Sequence, residues 1–196
     1  MKGKFIAASY LFLILFSCNQ PMDSKAKGYQ KIVFPEKKYI EFNEAAYPYT
    51  FEYPEYAIID KKVEYFGEDK KGDAWLNVQY PIFKATLYLS HTPIGRGQFS
   101  LDTLVMDAFK FANNHNSMAS SIEDSTFSLG NHMGGAFFHI GGDVATAYQF
   151  YLTDSTRHFI RGALYFDATP NQDSLAPVNA FLLEDIKHMV QHFHWK

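Results

Sequence analysis

The sequence contains one cysteine, Cys18, and the residues before it limit which part of the chain can fold. Two lysines stand within the first four residues, and a largely apolar run of twelve residues extends from Phe5 to Phe16. A basic start, a short apolar segment and a small residue, here Ser17, are the parts of an export signal. A helix that crosses a bilayer needs about 20 apolar residues, so a transmembrane span is the weaker interpretation. Residues 1–17 are therefore predicted to be a signal peptide and not part of the fold.

The end of this segment predicts the fate of the cysteine. Leu15-Phe16-Ser17-Cys18 resembles the bacterial lipobox, in which a leucine stands three residues before an invariant cysteine and a small residue directly precedes it. Cys18 is thus expected to become the lipid-bearing N-terminus of the mature protein. Residues 18–28 are mostly polar and lack apolar periodicity, which predicts a flexible lipidated tether. Residues 29–196 are predicted to form a single domain.

Composition and charge narrow the class of protein. With the only cysteine acylated no disulfide can form, so the domain depends on its core, for which the chain supplies 19 phenylalanines and 13 tyrosines. Removal of residues 1–17 takes away two lysines and no acidic residue, which leaves 16 basic and 21 acidic residues and a formal net charge of −5. A chain of this charge has nothing to attract nucleic acid. Tyrosines crowd the N-terminal third, where they are expected to wrap the core, the alternative being a half-exposed surface for a protein partner.

Short apolar patterns predict the strands. The runs at residues 32–34 and 50–53 each end at a proline, which favours edge strands because proline cannot donate to a ladder. Apolar and polar residues alternate over residues 74–80 and again over 85–90, so Pro81-Ile82-Phe83 between them predicts the turn of an antiparallel hairpin. Three further runs separated by turn residues predict a three-stranded meander, namely Gly135–Ile140, Val144–Leu152 and Arg157–Phe166.

Two segments have the helical period instead. Apolar residues from Leu101 to Ala112 fall on one face, with Ser100 as N-cap. The last helix carries apolar residues from Val178 to Phe193 and is expected to start around Ser174 and Pro177. Together these elements predict an α+β domain in which an antiparallel β-sheet is covered by two main helices. Their order is similar to the plan of the PsbP-like α/β/α sandwich, a likeness of topology only.

Residues that could carry chemistry form no catalytic motif. No Gly-x-Ser-x-Gly elbow is present, and the acidic pair Glu184-Asp185 is expected to be solvated. His188 and His192 are four residues apart and could bind zinc, but a catalytic site needs a third ligand and a base, and the apolar pattern places both on a solvated flank. The other histidines considered are scattered among strands and turns: His91, His132, His139 and His158. The residue pattern therefore predicts no catalytic residue, no metal and no cofactor.

One strand carries a candidate partner surface. Arg157, Phe159 and Arg161 alternate along the predicted strand and so share a face. If the opposite face lies on the core, two arginines stand beside an exposed aromatic ring, a combination enriched at protein interfaces. The alternative is that Phe159 lies beneath a helix and the arginines only solvate the rim.

Several stretches resemble the gliding-motility lipoprotein GldD family. They are Lys27-Gly28-Tyr29, Pro35-Glu36-Lys37, Pro48-Tyr49-Thr50-Phe51-Glu52-Tyr53-Pro54, the fourteen residues from Thr153 to Phe166, the nine from Pro170 to Val178, and the terminal Phe193-His194-Trp195-Lys196. The likeness runs from the lipobox to the last residue. Departures are local: the loops 64–73 and 113–130 do not align, and His194 stands where the family has an arginine.

This resemblance implies an envelope lipoprotein required for gliding motility that acts with other gliding lipoproteins and alongside type IX secretion. It implies no catalytic residues and no small-molecule substrate, and is compatible with a non-enzymatic assembly or stabilising component. The expected location is the outer membrane, on its periplasmic face. The alternative left open is an envelope module that binds or hydrolyses a glycan or peptide.

Overall fold

The computed structural model describes residues 31–61, 74–95, 99–115, 117–130 and 132–196. The predicted signal peptide 1–17, Cys18 and the tether 18–28 lie outside these residues. Residues 33–196 belong to one unit. In chain order its strands are β1 (Tyr39–Phe42), β2 (Tyr49–Pro54), β3 (Ile58–Asp60), β4 (Leu76–Tyr80), β5 (Ala85–Pro93), β6 (Ala119–Leu129), β7 (Met133–Gly142), β8 (Tyr148–Thr153), β9 (His158–Phe166) and β10 (His194–Trp195), and its helices are α1 (Leu101–Asn113) and α2 (Gln172–Gln191). No helix within the described ranges is long and apolar enough to cross a membrane.

The larger sheet has seven strands in the order β3-β4-β5-β9-β8-β7-β6. The predicted hairpin is confirmed, since β4 pairs antiparallel with β5 around a turn of 3₁₀ helix at Pro81–Phe83. That turn ends at Lys84 in the left-handed conformation, with a φ of 49°. The predicted meander is also confirmed, because β8 pairs antiparallel with both β7 and β9. Antiparallel pairing throughout, with two main helices, confirms the predicted α+β class.

The sequence patterns do not predict strand β6. It pairs with β7 and forms an edge of the larger sheet, and most of its eleven residues are exposed. Only Ile122, Phe127 and Leu129 are large and apolar in this strand. Period-two alternation becomes visible only where one face of a strand is buried, so an exposed polar edge strand gives no such signal.

A smaller sheet has the order β1-β2-β10. The prediction that residues 50–53 form an edge strand is wrong, because β2 lies in the centre and pairs with β1 on one side and β10 on the other. β10 comes from the end of the chain, a partner that local pattern cannot show. The run ending at Phe34 forms no strand within the described residues; instead the Phe34 ring stacks on Phe181 with centroids 4.5 Å apart.

Local capping explains both helix starts. Ser100 is the N-cap of α1 as predicted, and its side chain accepts a hydrogen bond from the Thr103 N–H at 3.2 Å. Helix α2 begins earlier than expected, because Asn171 is its N-cap and accepts from the Ser174 N–H at 2.9 Å. Pro177 therefore lies inside the helix rather than at its start.

The two helices contribute to separate cores. Side chains of β4, β5, β8 and β9 that point to one face pack with α2 and the smaller sheet. Residues on the other face of β8 and β9, together with β7, pack against α1. The larger sheet thus lies between two apolar layers, one of them much larger than the other.

Candidate functional site

A cleft lies beside α1 because that helix is too narrow for the sheet beneath it. Helix α1 packs over β8 and β9. A helix with its side chains is about 10 to 12 Å wide and neighbouring strands are about 4.8 Å apart, so one helix covers two or three strands. The seven-stranded sheet therefore leaves β4 and β5 uncovered by α1 on this face. The resulting cavity has a volume of about 760 Å³.

Strand register brings the floor of this cleft together. Asn77 on β4 lies opposite Tyr88 on β5, which in turn lies opposite Ala163 on β9. The small Ala163 leaves room between the larger neighbours. Tyr88 contacts Tyr165 edge to face, with ring centroids 5.8 Å apart. The walls are predominantly apolar and aromatic, formed by Trp75, Phe99, Leu104, Ala108, Phe111 and Phe159.

Three polar groups give the cleft its chemical character. Asn77 lines the cleft and is 7% exposed, and its Oδ1 is buried with no hydrogen-bond partner among the described residues. Arg161 donates from Nη2 to Oε1 of Gln149 at 2.6 Å, and its guanidinium lies 4.6 Å from the centroid of the Phe111 ring. Burial, followed by the positive charge of Arg161, lowers the pKa of His115 at the cleft edge.

The three residues of the predicted partner surface do not lie together. Phe159 is 3% exposed beneath α1 and stacks on Tyr151 with centroids 5.1 Å apart, so the expectation of an exposed aromatic is wrong. The alternative, a phenylalanine beneath a helix, is the observed one. Arg161 lines the cleft, whereas Arg157 is exposed on the β8–β9 turn with its Nε 3.7 Å from the Asp154 carboxylate.

The β8–β9 turn is built around that carboxylate. Asp154 Oδ1 accepts from the backbone N–H groups of Thr156, Arg157 and His158 at 3.0, 2.7 and 2.9 Å. Burial alone would raise the pKa of Asp154, but these backbone hydrogen bonds outweigh it and lower the pKa. Asp154 therefore has a structural role, because it holds the backbone of the turn, and the sequence alone does not reveal these hydrogen bonds.

A second polar cluster is buried. Asp185 is fully buried, so the expectation that Glu184-Asp185 is solvated is wrong for this residue. Its carboxylate accepts from Lys37 Nζ at 2.7 Å, from the Tyr39 hydroxyl at 2.9 Å and from the Tyr56 hydroxyl. Burial first, and then the hydrogen bond to Asp185, raises the pKa of both tyrosines. A carboxylate that is fully buried and has three donors joins chain segments and is not open to a substrate.

Two pairs of histidines lie in contact, and one of the pairs is brought together only by the fold. His91 Nε2 lies 3.1 Å from His158 Nδ1, and burial is the main cause of a lowered pKa at His158. His188 Nε2 lies 2.6 Å from Glu52 Oε2, and the His188 ring stacks on that of His192. Glu52 was missed as a partner because it lies on β2, far from α2 in the sequence. The pattern of residues 50–53 predicts that strand, but nothing in the sequence connects Glu52 with α2.

The layers and strand order define an α+β domain of the PsbP-like type. The solution structure of cyanobacterial PsbP (CyanoP) from Synechocystis sp. PCC 6803 is similar, with a TM-score of 0.50 and 13% sequence identity over 87% of this chain and 99% of that chain. Identity this low shows a common fold alone. The family described as gliding motility lipoprotein GldD matches residues 19–195, and the chain belongs to this family. No curated protein gives a significant match.

Membership confirms the resemblance seen in the sequence. It identifies the chain as a gliding motility lipoprotein, and a lipoprotein is associated with an envelope membrane. The predicted PsbP-like arrangement is confirmed as well. Neither likeness assigns a catalytic residue or a binding partner to this chain.

Proposed function

We propose that this lipoprotein is a non-enzymatic assembly or stabilising component of the gliding apparatus, acting alongside type IX secretion, and that it works by binding an envelope protein in the α1 cleft. Cys18 carries its lipid anchor, and the outer membrane, on the periplasmic face, is its location. The cleft carries this proposal, because it combines about 760 Å³ of volume with aromatic walls. The residues that dominate binding between proteins lie in well-packed, desolvated pockets, and an apolar cleft with aromatic walls is suited to receive such a residue.

The aromatic walls of the cleft define the chemistry of the partner. Tyr88 and Phe111 are 44% and 43% exposed and offer aromatic surface. The partner is therefore a protein segment with an apolar or aromatic side chain. Aromatic rings of this kind dominate the free energy of protein interfaces.

Site-specific crosslinking tests the cleft. A photoreactive phenylalanine analogue at Tyr88 should crosslink one envelope protein in gliding cells. Met106 is the matched control because it lies on α1, is 71% exposed and does not line the cleft. The same product from both positions, or from neither, would contradict a cleft-specific interaction. A glycan adduct at Tyr88 would favour the alternative glycan-binding role.

The anchor has its own test. Cys18→Ala should abolish acyl labelling and either release the protein from the membrane fraction or block its processing, because the lipobox-like segment would have no thiol to acylate. A variant that is still acylated and equally membrane-bound would contradict the assignment of Cys18.

A further inference from the structure

The C-terminal turn of α2 places two imidazoles next to a carboxylate from β2. One ligand atom each from Glu52, His188 and His192 lies within 4.8 Å of the other two. We propose that these three side chains bind one divalent transition-metal ion. The site lies on α2 and β2, and its lining is separate from that of the α1 cleft. It is therefore independent of the proposed function.

The ring of His188 is already held in position. Tyr39 stacks on it with centroids 3.5 Å apart, and His192 stacks on it at 4.0 Å. Between these two rings His188 directs Nε2 toward Glu52 Oε2, at 2.6 Å. Tyr39 is in turn held by its hydroxyl, which donates to the buried Asp185 carboxylate at 2.9 Å. A ligand whose rotamer is set by its neighbours loses little conformational freedom when it binds a metal.

The tautomer of His192 also suits a metal. Its Nδ1 lies 2.9 Å from the backbone carbonyl oxygen of His188, which can only accept, so Nδ1 carries the proton and donates. That assignment leaves the lone pair on Nε2. Metal-bound histidines commonly donate the second ring N–H to a carbonyl or carboxylate, which fixes the ring and raises its basicity.

The distances require small movements, and the His192 ring must also turn out of its stack on His188, because the lone pair that binds a metal lies in the plane of the ring. Metal–ligand bonds of about 2.1 Å in tetrahedral geometry separate ligand atoms by about 3.4 Å. The contact between His188 and Glu52 must lengthen by less than about 1 Å, and separations of up to 4.8 Å must shorten. Glu52 is partly exposed and His192 is exposed, so both side chains have room to adjust.

The donor set selects the class of ion. Two imidazoles and one carboxylate suit Zn²⁺ and its first-row neighbours, with water in the fourth position. Calcium and magnesium prefer oxygen ligands and suit this set poorly. An ion bound here joins the centre of the smaller sheet to the last turn of α2, so binding should stabilise the native protein.

A zinc competition assay on the mature lipoprotein, in detergent and without a histidine tag, tests the site. We expect one Zn²⁺ per chain to be withdrawn from a chromophoric chelator. His188→Ala, His192→Ala and Glu52→Gln should each weaken zinc binding by at least about tenfold, since loss of even an outer-shell partner costs that much. His194→Ala is the matched control, because His194 is an exposed histidine two residues further on and is not part of the ligand set.

Thermal unfolding provides a second readout that does not depend on the chelator. Zinc should raise the Tm of the wild-type protein and of His194→Ala but not of His192→Ala. Because His192 is exposed, His192→Ala should fold normally, and circular dichroism checks that it does. The proposal is overturned if the wild type binds no zinc at millimolar concentration, or if the three ligand variants bind it as tightly as the wild type.

Discussion

The two faces of the larger sheet differ in how completely they are covered. On the α2 face the helix, the smaller sheet and the aromatic side chains of β2 fill the space, and Leu182, Ile186, Tyr49 and Phe51 are fully buried. On the α1 face a single helix of thirteen residues leaves a cavity of about 760 Å³. The difference indicates that the α2 face supplies most of the stability, while the α1 face provides the surface that can bind another molecule.

Aromatic residues are divided between the faces in the same way. Two of the N-terminal tyrosines wrap the core as expected, since Tyr47 and Tyr49 are buried and pack with Phe42 in the larger core. Tyr39, Tyr53 and Tyr56 are half-buried, and Tyr29 and Tyr65 lie outside the described residues. Exposed rings gather instead at the cleft, where Tyr88 and Phe111 are more than two-fifths accessible. Rings on the α2 face stabilise the fold, whereas rings on the α1 face are available to contact another molecule.

The largest effect is expected from the buried carboxylate of the α2 face. Asp185→Ala leaves the Lys37 ammonium and two tyrosine hydroxyls without their common acceptor, and loss of one partner of a buried ion pair costs about 3 to 5 kcal/mol. Urea unfolding measures this loss. Glu184→Ala is the matched control, because its side chain is 69% exposed although 3.4 Å from Lys37 Nζ, and should cost at most about 1 kcal/mol.

Failure of Asp185→Ala to fold would leave no transition to measure, so Tyr56→Phe serves as a milder variant. It removes one hydrogen bond to Asp185 and should cost about 1 kcal/mol. Equal, small losses for Asp185→Ala and Glu184→Ala would show that this network contributes little to the stability of the α2 face.

Matched leucines compare the faces directly. Leu182→Ala on α2 should lower the free energy of unfolding by about 3 to 4 kcal/mol, because the dense surroundings cannot collapse into the space. Leu104→Ala on α1 should cost about 2 kcal/mol, because Leu104 borders the cleft and its removal only enlarges an existing cavity. Chemical denaturation of both variants measures the two losses in the free energy of unfolding. An equal or larger loss for Leu104→Ala would contradict the assignment of stability to the α2 face.

Sequence patterns predicted those parts of the fold in which a face is buried. The β4–β5 hairpin, the meander and α1 with its Ser100 cap each carry their own local signal, and all are observed. Strand β6 carries no local signal because its residues are mostly exposed. The proline that ends β2 predicts an edge strand, and local pattern cannot show that β10, at the far end of the chain, pairs with it. Local periodicity reports burial and does not identify strand partners.

The candidate sites were harder to predict for the same reason. Arg161 and Phe159 were singled out correctly as residues of one face, but which face was open depended on where α1 packs. The cleft also needs Asn77 from β4, which no motif indicates. Likewise the expectation that Asp185 is solvated fails because its partners Lys37 and Tyr56 are far from it in the sequence.

The β8–β9 turn sets the register of the two strands it joins. A shift of one residue in that register would move every side chain of a strand to the opposite face of the sheet. Asp154→Asn should cost about 1 kcal/mol at neutral pH, because the three backbone N–H groups lose a charged acceptor. The pKa of Asp154 is lowered in the folded protein from its ordinary value of 3.8. Its ionised form therefore stabilises the fold above that pH, and the contribution is lost as the pH falls through the lowered pKa.

Urea unfolding of the wild type and Asp154→Asn at several pH values tests this sign. The difference in stability should be fully present at pH 7 and should shrink as the pH falls below 3.8, the ordinary pKa of Asp154. A difference that grows in acid would mean that the protonated form of Asp154 is the one that stabilises the turn.

The smallest effect on stability is expected in the cleft. Tyr88→Ala and Phe111→Ala remove rings that are already more than two-fifths exposed, so the pair should lower the free energy of unfolding by about 1 kcal/mol or less. Phe111 also supports the Arg161 guanidinium at 4.6 Å, an interaction of about 0.5 to 1 kcal/mol at an exposed site.

The double variant should fold and reach the membrane but should stop gliding and lose the crosslinked partner, because interface rings contribute far more to binding than to folding. Met106→Ala, an equally accessible change on the same helix outside the cleft, should glide normally. A folded, membrane-bound double variant that glides as well as Met106→Ala would show that the open face is not the one through which this lipoprotein acts.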